Sequence, residues 1–143
     1  MVQLKKTERV VVEGSSAIYK ATLKSPDDSV VTTAQISTLE MVFYNHRDGA
    51  IINSRGTLSS EGVYGFQDIK GLSGAVVNNC TFGTSDGLLT WNMQSADNTI
   101  VDTTLAVGQT EKHVAVFKFT YTSGGVHVGY HTEIFEVEQV RVI

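Results

Sequence analysis

Two histidines and a glutamate stand at even spacing near the end of the chain, and their types suit metal binding. They are His127, His131 and Glu133, in the stretch "GGVHVGYHTEIFEVE" (124–138). Side chains alternate across a β-strand, so residues separated by an even number of positions lie on one face. The alternation of this stretch predicts a strand, and all three side chains would then share one of its faces. The first question is whether they bind a metal ion.

The spacing of these three residues argues against a shared metal ion. A strand advances about 3.3 Å per residue, so His127 and His131 would lie about 13 Å apart. Two imidazoles bind one ion only when each nitrogen lies about 2.1 Å from it. His131 and Glu133 are near enough to share an ion, but two ligands make a weak site. We therefore expect no metal ion and no other cofactor, and we interpret these residues as an outward polar face with surface histidines.

Other residues with possible chemistry have simpler structural explanations. Asp97 and Asp102 lack the acidic spacing and central glycine of a calcium-binding loop, which favours a solvated turn. The stretch "GVYGFQDIKG" has no phosphate-loop spacing, and the chain has no G-x-S-x-G motif. Cys80 is the single cysteine, so it cannot form an intramolecular disulfide, and it would need a nearby histidine to act as a nucleophile. Trp91 falls in an alternating strand, which predicts a core residue. The sequence predicts no catalytic residues and no enzyme.

The length and charge of the chain limit the classes of protein to which it can belong. A chain of 143 residues is expected to form one domain, 1–143, that buries roughly two thirds of its unfolded surface. The net charge is −4 and the eleven Lys and Arg residues are scattered, which argues against a nucleic-acid partner. No stretch approaches the roughly 20 apolar residues of a membrane span. The start lacks the apolar run of a secretion signal, so we expect synthesis in a cytoplasm.

Alternating apolar and polar residues predict short β-strands along much of the chain. The residues expected to point inward are Tyr19, Ala21, Leu23, Leu39, Met41, Phe43, Leu89, Trp91, Met93, Ala115, Phe117, Phe119 and Tyr121. The large aromatic residues Phe43, Trp91, Phe117 and Phe119 are predicted to form the core. Lys118, between two of them, is expected to point outward. Strands of this kind, separated by turn signals, predict an antiparallel β-sandwich or barrel.

The segment after the strand 35–45 carries a strong hairpin signal. Asp48 and Gly49 both tolerate a positive φ angle, which a two-residue hairpin turn requires. We therefore predict a return strand over 50–55. A second turn, "SGG" at 123–125, is expected to lead into a long final strand that runs nearly to Ile143.

The middle of the chain departs from this regular alternation. Residues 56–87 hold seven of the thirteen glycines, and only 75–79 resembles a strand. Glycine at this density indicates a loop-rich excursion, because each glycine costs conformational entropy in a regular element. Two interpretations stay open. The excursion is either a plain surface loop or an arm that becomes ordered against a neighbouring molecule.

Several stretches follow the order of strands in an immunoglobulin (Ig)-like domain. "GLLTWNMQSADN", "GQTEKHVAVFKFTYTSGG" and "HTEIFEVEQV" resemble its last three strands, and "LEMVFYNHRDGAIINS" is similar to its central hairpin. The chain lacks the Cys pair of antibody domains. Its order resembles the small Ig-like domains of tailed-bacteriophage virion proteins, such as capsid decoration, neck and upper-baseplate proteins. The resemblance covers roughly 8–55 and 87–142 and leaves the glycine-rich middle unaccounted for.

This resemblance implies an all-β, antiparallel Ig-like β-sandwich with a glycine-rich loop excursion at 56–87. It also implies a non-enzymatic structural protein of the virion, present in many copies or as a homo-oligomer. The leading interpretation is a capsid decoration (cement) or neck protein, whose partners are the major capsid protein or other virion proteins. The alternative is an adhesion module of the tail or baseplate that binds a host receptor or carbohydrate. We expect docking through the chain ends, 1–7 and 140–143, and the glycine-rich middle.

Overall fold

A computed structural model describes residues 8–71, 75–83 and 87–140 of the chain. Ten β-strands lie within these ranges, and a short 3₁₀ turn at Ser95–Asn98 follows the eighth strand. The strands are β1 (Glu8–Val12), β2 (Ala17–Thr22), β3 (Ile36–Asn45), β4 (Thr57–Leu58), β5 (Tyr64–Gly65), β6 (Gln67–Asp68), β7 (Cys80–Phe82), β8 (Leu88–Met93), β9 (Thr110–Thr122) and β10 (Val126–Glu138). None of the described residues belongs to a helix of the length and apolarity that crossing a membrane requires.

The strands form two facing sheets and a small ribbon. The larger sheet has the order β1-β10-β9-β3-β6, the smaller sheet has the order β2-β8-β7, and β4 pairs with β5. All pairs are antiparallel except β1–β10, which is parallel. Strands β3, β9 and β10 correspond to C, F and G of an Ig-like domain, and β2, β8 and β7 correspond to B, E and D. The predicted all-β, Ig-like sandwich is confirmed.

The core lies between the two sheets and consists of the residues that alternation places inward. Of the thirteen residues predicted to point inward, twelve are buried and Ala21 is half-buried. The Phe43 and Trp91 rings meet edge to face with centroids 5.0 Å apart, and Phe117 lies 6.2 Å from Trp91. Phe119 is also buried. The predicted phases of β2, β3, β8 and β9 are therefore correct, because one face of each strand packs against the opposite sheet.

The hairpin after β3 forms at the predicted turn, but its return strand does not. Gly49 has a φ of +75°, its N–H donates to the Asn45 carbonyl, and the Asn45 N–H donates to Ala50. Beyond a single bridge at Ile51, the predicted strand 50–55 is broken by residues with positive φ, Asn53 and Ser54 among them. β6 pairs with β3 instead, so the large sheet takes this strand from further along the chain.

Several described parts of the glycine-rich excursion are built into the sandwich, while residues 57–63 are exposed. The β4–β5 ribbon covers the outer face of β3, where Tyr64 stacks on Tyr44 with ring centroids 4.6 Å apart. Gly56 permits this approach, because its φ is +104° and a Cβ there would lie 2.6 Å from the Gly65 carbonyl oxygen. β6 then extends the large sheet and β7 the small one. The excursion therefore packs on its own domain.

The strand predicted at 75–79 is wrong. Asn78 and Asn79 have φ angles of 49° and 68°, and this turn leads into the actual strand at Cys80–Phe82. Asparagine tolerates the left-handed conformation, because its side chain forms local hydrogen bonds. Strands of two or three residues also give too little alternation to be recognised in a sequence.

The face assigned to the final strand is also wrong. Glu133 is buried, and it shares a face of β10 with the core residues Phe135 and Val137. Gly129 lies on this face beneath the Phe119 ring, which occupies the space that a Cβ would need. His127, His131 and Glu133 therefore lie on the inner side of the large sheet. β10 ends at Glu138, and residues 1–7 and 141–143 lie outside the described part of the chain.

Candidate functional site

A polar cluster replaces apolar packing between β2 and β10. The Tyr19 hydroxyl donates to Glu133 Oε1 at 2.7 Å and lies 2.9 Å from His131 Nε2. Tyr19 and Glu133 are buried, and His131 is half-buried. When Nε2 carries the imidazole proton, the hydroxyl accepts from His131 while donating to the carboxylate. The cluster joins the two sheets by hydrogen bonds, so its residues have a structural explanation.

The histidines of β10 are not brought together at one point. His127 is exposed, its Nε2 lies 3.1 Å from the Ser123 carbonyl oxygen, and its ring packs near Tyr121. His131 contacts Tyr19 and Phe117 instead. Within the described ranges, no group of three or more His, Cys, Asp or Glu side chains is placed to hold a metal ion. The expectation that no metal is bound stays a prediction.

A buried ion pair lies at the bend between the third strand and the glycine-rich excursion. The Arg55 guanidinium donates to Asp97 at 2.9 Å through Nε and at 3.0 Å through Nη2. Asp97 also accepts from Asn53 Nδ2 and from the Gln94 backbone N–H, at 2.9 and 2.7 Å. Asp97 is completely buried, so its interpretation as part of a solvated turn is wrong. Asp102, in contrast, pairs with the exposed Arg47 at 3.0 Å.

Arg55 also holds the turn that precedes β7. Its Nη1 donates to the Asn78 carbonyl at 2.5 Å, and its Nη2 donates to Asn79 Oδ1 at 2.7 Å. Its guanidinium carbon lies 5.7 Å from the centroid of the Trp91 ring. One side chain therefore connects the core, the 3₁₀ turn and the excursion. This arrangement positions segments of the chain and offers no reactive group.

Cys80 is buried next to this network, and burial disfavours its reactive thiolate form. Burial raises the pKa of its thiol to about 12, more than the nearby Arg55 lowers it. The reactive form of cysteine is the thiolate, which is scarce at neutral pH when the pKa is this high. Trp91 is fully buried in the core, as its strand phase predicts. Neither residue is available to a substrate.

A second polar cluster, missed in the sequence, lies at the start of β9. Glu111 and His113 are buried on the inner face, where the Glu111 carboxylate lies 2.5 Å from His113 Nε2. The same carboxylate accepts the backbone N–H groups of Val101 and Asp102 at 2.8 Å each. Burial lowers the pKa of His113, and the Glu111 carboxylate opposes this shift only in part. The cluster therefore fixes the loop before β9 to the sandwich.

We expect His113 to make the fold less stable as the pH falls below about 6.5, its ordinary pKa. Below this pH the imidazole becomes protonated in the unfolded chain, whereas burial disfavours its protonation in the folded chain. Acidification therefore lowers the free energy of unfolding. The stability advantage of the wild type over His113→Gln should shrink between pH 7.5 and 5, as measured by urea unfolding. The exposed-histidine control His127→Gln should track the wild type. A stability difference between the wild type and His113→Gln that does not change with pH would contradict the lowered pKa of His113.

Next to this cluster lies an open cleft of about 230 Å³ at one end of the sandwich, called here the end cleft. It is formed by the turn after β3, the loop before β9 and the first residues of β9. The residues that line it include Asn45, Arg47, Asp102, Leu105, Glu111 and Lys112. Asn45 is 2% exposed, and its Oδ1 has no hydrogen-bond partner within the described residues.

The outer face of β10 is apolar and exposed near the β9–β10 turn. Val126, Val128 and Tyr130 are 77%, 53% and 61% exposed. We call these three residues the β10 face. In the neighbouring strand their partners are Thr122, Thr120 and Lys118, so the surface around them is mostly uncharged. A contiguous apolar surface on a soluble protein marks an interaction site more often than isolated exposed residues do.

Comparisons with known proteins add little to these observations. No protein-family model matches the chain, and no curated protein matches it. Among solved structures, the chain is similar to the crystal structure of CopC from Methylosinus trichosporium OB3b. The two share 15% sequence identity, with 95% of this chain and 88% of that chain covered and a TM-score of 0.39.

Proposed function

We propose that the chain is a non-enzymatic structural protein of a tailed-bacteriophage virion that docks to the head shell as a decoration or neck protein. The single observation that carries the docking proposal is the β10 face, where Val126, Val128 and Tyr130 are more than half exposed. The resemblance to phage Ig-like domains supplies the virion context. Within the described residues, the polar clusters have structural explanations, which also favours binding over catalysis.

The chemistry of the β10 face fits an apolar protein surface better than a charged partner. Val10 and Val12 of β1 lie on the same side of the sheet but beside Glu136 and Glu138 of β10, so they are separate from the apolar β10 face. They are 63% and 41% exposed. Aromatic residues such as Tyr130 are enriched at interface centres, since they bury a large area while ordering few torsions. The partner we propose is the major capsid protein of the same virion.

The β10 face is a docking surface that the sequence did not predict, and docking through the chain ends and the glycine-rich middle stays a prediction. The described part of the glycine-rich middle packs on its own sheets through β6, β7 and the Tyr64–Tyr44 stack, while residues 57–63 are exposed. Of the chain ends, Val140 is described and 38% exposed. The remaining terminal residues lie outside the described part of the chain and are not used in the docking argument.

The test is binding to shells assembled from the proposed partner, the major capsid protein of the same virion. Val128→Asp should weaken binding about tenfold or more, because a buried unpaired carboxylate is costly at an interface. Ile18→Asp is the matched control, since Ile18 is 69% exposed on the outer side of the other sheet. Both variants should fold like the wild type by circular dichroism. Equal shell binding by both variants in co-sedimentation would show that docking does not use the β10 face.

A further inference from the structure

We propose that one water molecule is bound inside the sandwich between Asn45 of β3 and His113 of β9, where it donates a hydrogen bond to each. This inference is independent of docking through the β10 face. It begins with two side-chain atoms that have no hydrogen-bond partner among the described residues, Asn45 Oδ1 and His113 Nδ1. The two residues are only 2% and 0% exposed. A buried polar atom without a partner is costly, so such atoms are normally paired with protein groups or with ordered water.

The register of the large sheet places these two side chains next to each other. Asn45 is directly opposite His113 in the β3–β9 pair, and both are buried on the inner face. Directly opposed residues of antiparallel strands have Cβ atoms about 4.5–5.5 Å apart, so their polar atoms are within reach of one small molecule. Asn45 also lines the end cleft, but its Oδ1 is buried and is not part of the accessible surface there.

The hydrogen bonds around His113 make its Nδ1 an acceptor. Its Nε2 lies 2.5 Å from Glu111 Oε2, and the same carboxylate accepts the backbone N–H groups of Val101 and Asp102. An ionised carboxylate only accepts, so the hydrogen between the two side chains is on Nε2. Burial lowers the pKa of His113, which favours the neutral imidazole, and its Nδ1 then carries a lone pair instead of a hydrogen. Asn45 Oδ1 and His113 Nδ1 are therefore two neighbouring acceptors without a donor.

Water is the ligand that suits two neighbouring acceptors. Within the described part of the chain neither atom has a partner, so the two do not meet in hydrogen-bonding geometry, and turning the Asn45 amide over would not by itself join them. A water molecule has two O–H groups and can donate one to each acceptor, and buried waters commonly bridge polar groups in this way with two to four hydrogen bonds. The water would complete a hydrogen-bonded chain from Asn45 through His113 and Glu111 to the loop before β9.

The experiment detects this water by NMR spectroscopy of the ¹³C- and ¹⁵N-labelled protein at pH 7.5. Long-range ¹H–¹⁵N correlation of the His113 imidazole should show a hydrogen on Nε2 and none on Nδ1. Side-chain hydrogens of Asn45 or His113 should give NOE cross-peaks at the water frequency, with the sign that a long-lived bound water produces. Asn45→Leu removes one acceptor at similar volume, so the cross-peak on His113 should disappear. The control His127→Gln changes an exposed histidine and should keep it.

A crystal structure of the wild type tests the same site even when Asn45→Leu fails to fold. An electron-density peak should lie within hydrogen-bonding distance of both Asn45 Oδ1 and His113 Nδ1.

Four outcomes would overturn the proposal. The first is no water cross-peak at either residue and no density between them. The second is a cross-peak on His113 that persists in Asn45→Leu, which would show relay from a nearby hydroxyl group. The third is a scalar coupling between Asn45 Nδ2 and His113 Nδ1, the sign of a direct hydrogen bond. The fourth is an imidazolium with hydrogens on both nitrogens at pH 7.5, because Nδ1 would then be a donor and could not accept from the water.

Discussion

Replacing Arg55 by methionine is expected to cost about 3–5 kcal/mol of the free energy of unfolding, because it leaves a buried carboxylate without its partner. The side chain of Arg55 is 4% exposed and that of Asp97 is fully buried. The variant also loses the hydrogen bonds to Asn78 and Asn79 that hold the turn before β7. The free energy of unfolding should be measured by urea denaturation, followed by circular dichroism.

Two further variants separate the buried charge from the loss of side-chain volume. Arg47→Met removes an arginine from an exposed pair with Asp102, and it should leave stability almost unchanged, as surface ion pairs do. Adding Asp97→Asn to Arg55→Met should recover part of the loss, since no lone charge then stays buried. If Arg55→Met costs no more than Arg47→Met, the Arg55–Asp97 pair does not hold the excursion in place.

Phe117→Ala is expected to destabilise the protein by about 3–5 kcal/mol, as large-to-small changes in a packed core do. The Phe117 ring stacks on Tyr19 with centroids 5.9 Å apart and lies 6.2 Å from Trp91, so its removal opens a cavity between the two sheets. Both partners lie on the smaller sheet, where Tyr19 keeps its contact with Phe135 and Trp91 keeps its contacts with Phe43 and Phe135. The midpoint of urea unfolding should fall by a corresponding amount while its slope stays similar.

The neighbouring residue on β9 provides the control for strand phase. Lys118 points to the outer face, where its ammonium lies 5.4 Å from the centroid of the Phe66 ring. Lys118→Ala should cost less than about 1 kcal/mol, the usual strength of an exposed cation–π contact. Small and equal losses at Phe117 and Lys118 would mean that the inner and outer faces of β9 have been assigned wrongly.

The sheets could be predicted where strands are long and one face is buried. Leu39, Phe43 and Phe117 alternate with polar residues, and burial then follows from the two-residue period of a strand. The same phase places Glu111 and His113 inward, because both are an even number of positions from Phe117. Because Glu111 and His113 are polar, the apolar alternation does not reveal this cluster, although the phase of β9 indicates it.

The remaining errors have a different physical origin. The partner of Arg55 lies far away in the chain, and no local pattern shows that the two meet in the interior. The β10 histidines were assigned outward because they are polar, yet Tyr19 from the other sheet supplies the hydrogen bonds that allow His131 and Glu133 to face inward. Hydrogen bonds between distant segments therefore decided which polar residues are buried, and a strand's own sequence does not contain that information.

The parallel pair β1–β10 has a consequence for how the chain folds during synthesis. Glu8 pairs with Ile134, so β1 cannot join the large sheet until β10 has been synthesised. At roughly 5–20 residues per second, the ribosome takes on the order of ten seconds to make the intervening chain. Contacts between such distant positions also slow folding, because loop closure must precede them. The large sheet is therefore completed only after β10 has been made, and until then the nascent chain exposes an apolar strand to chaperones and to neighbouring copies.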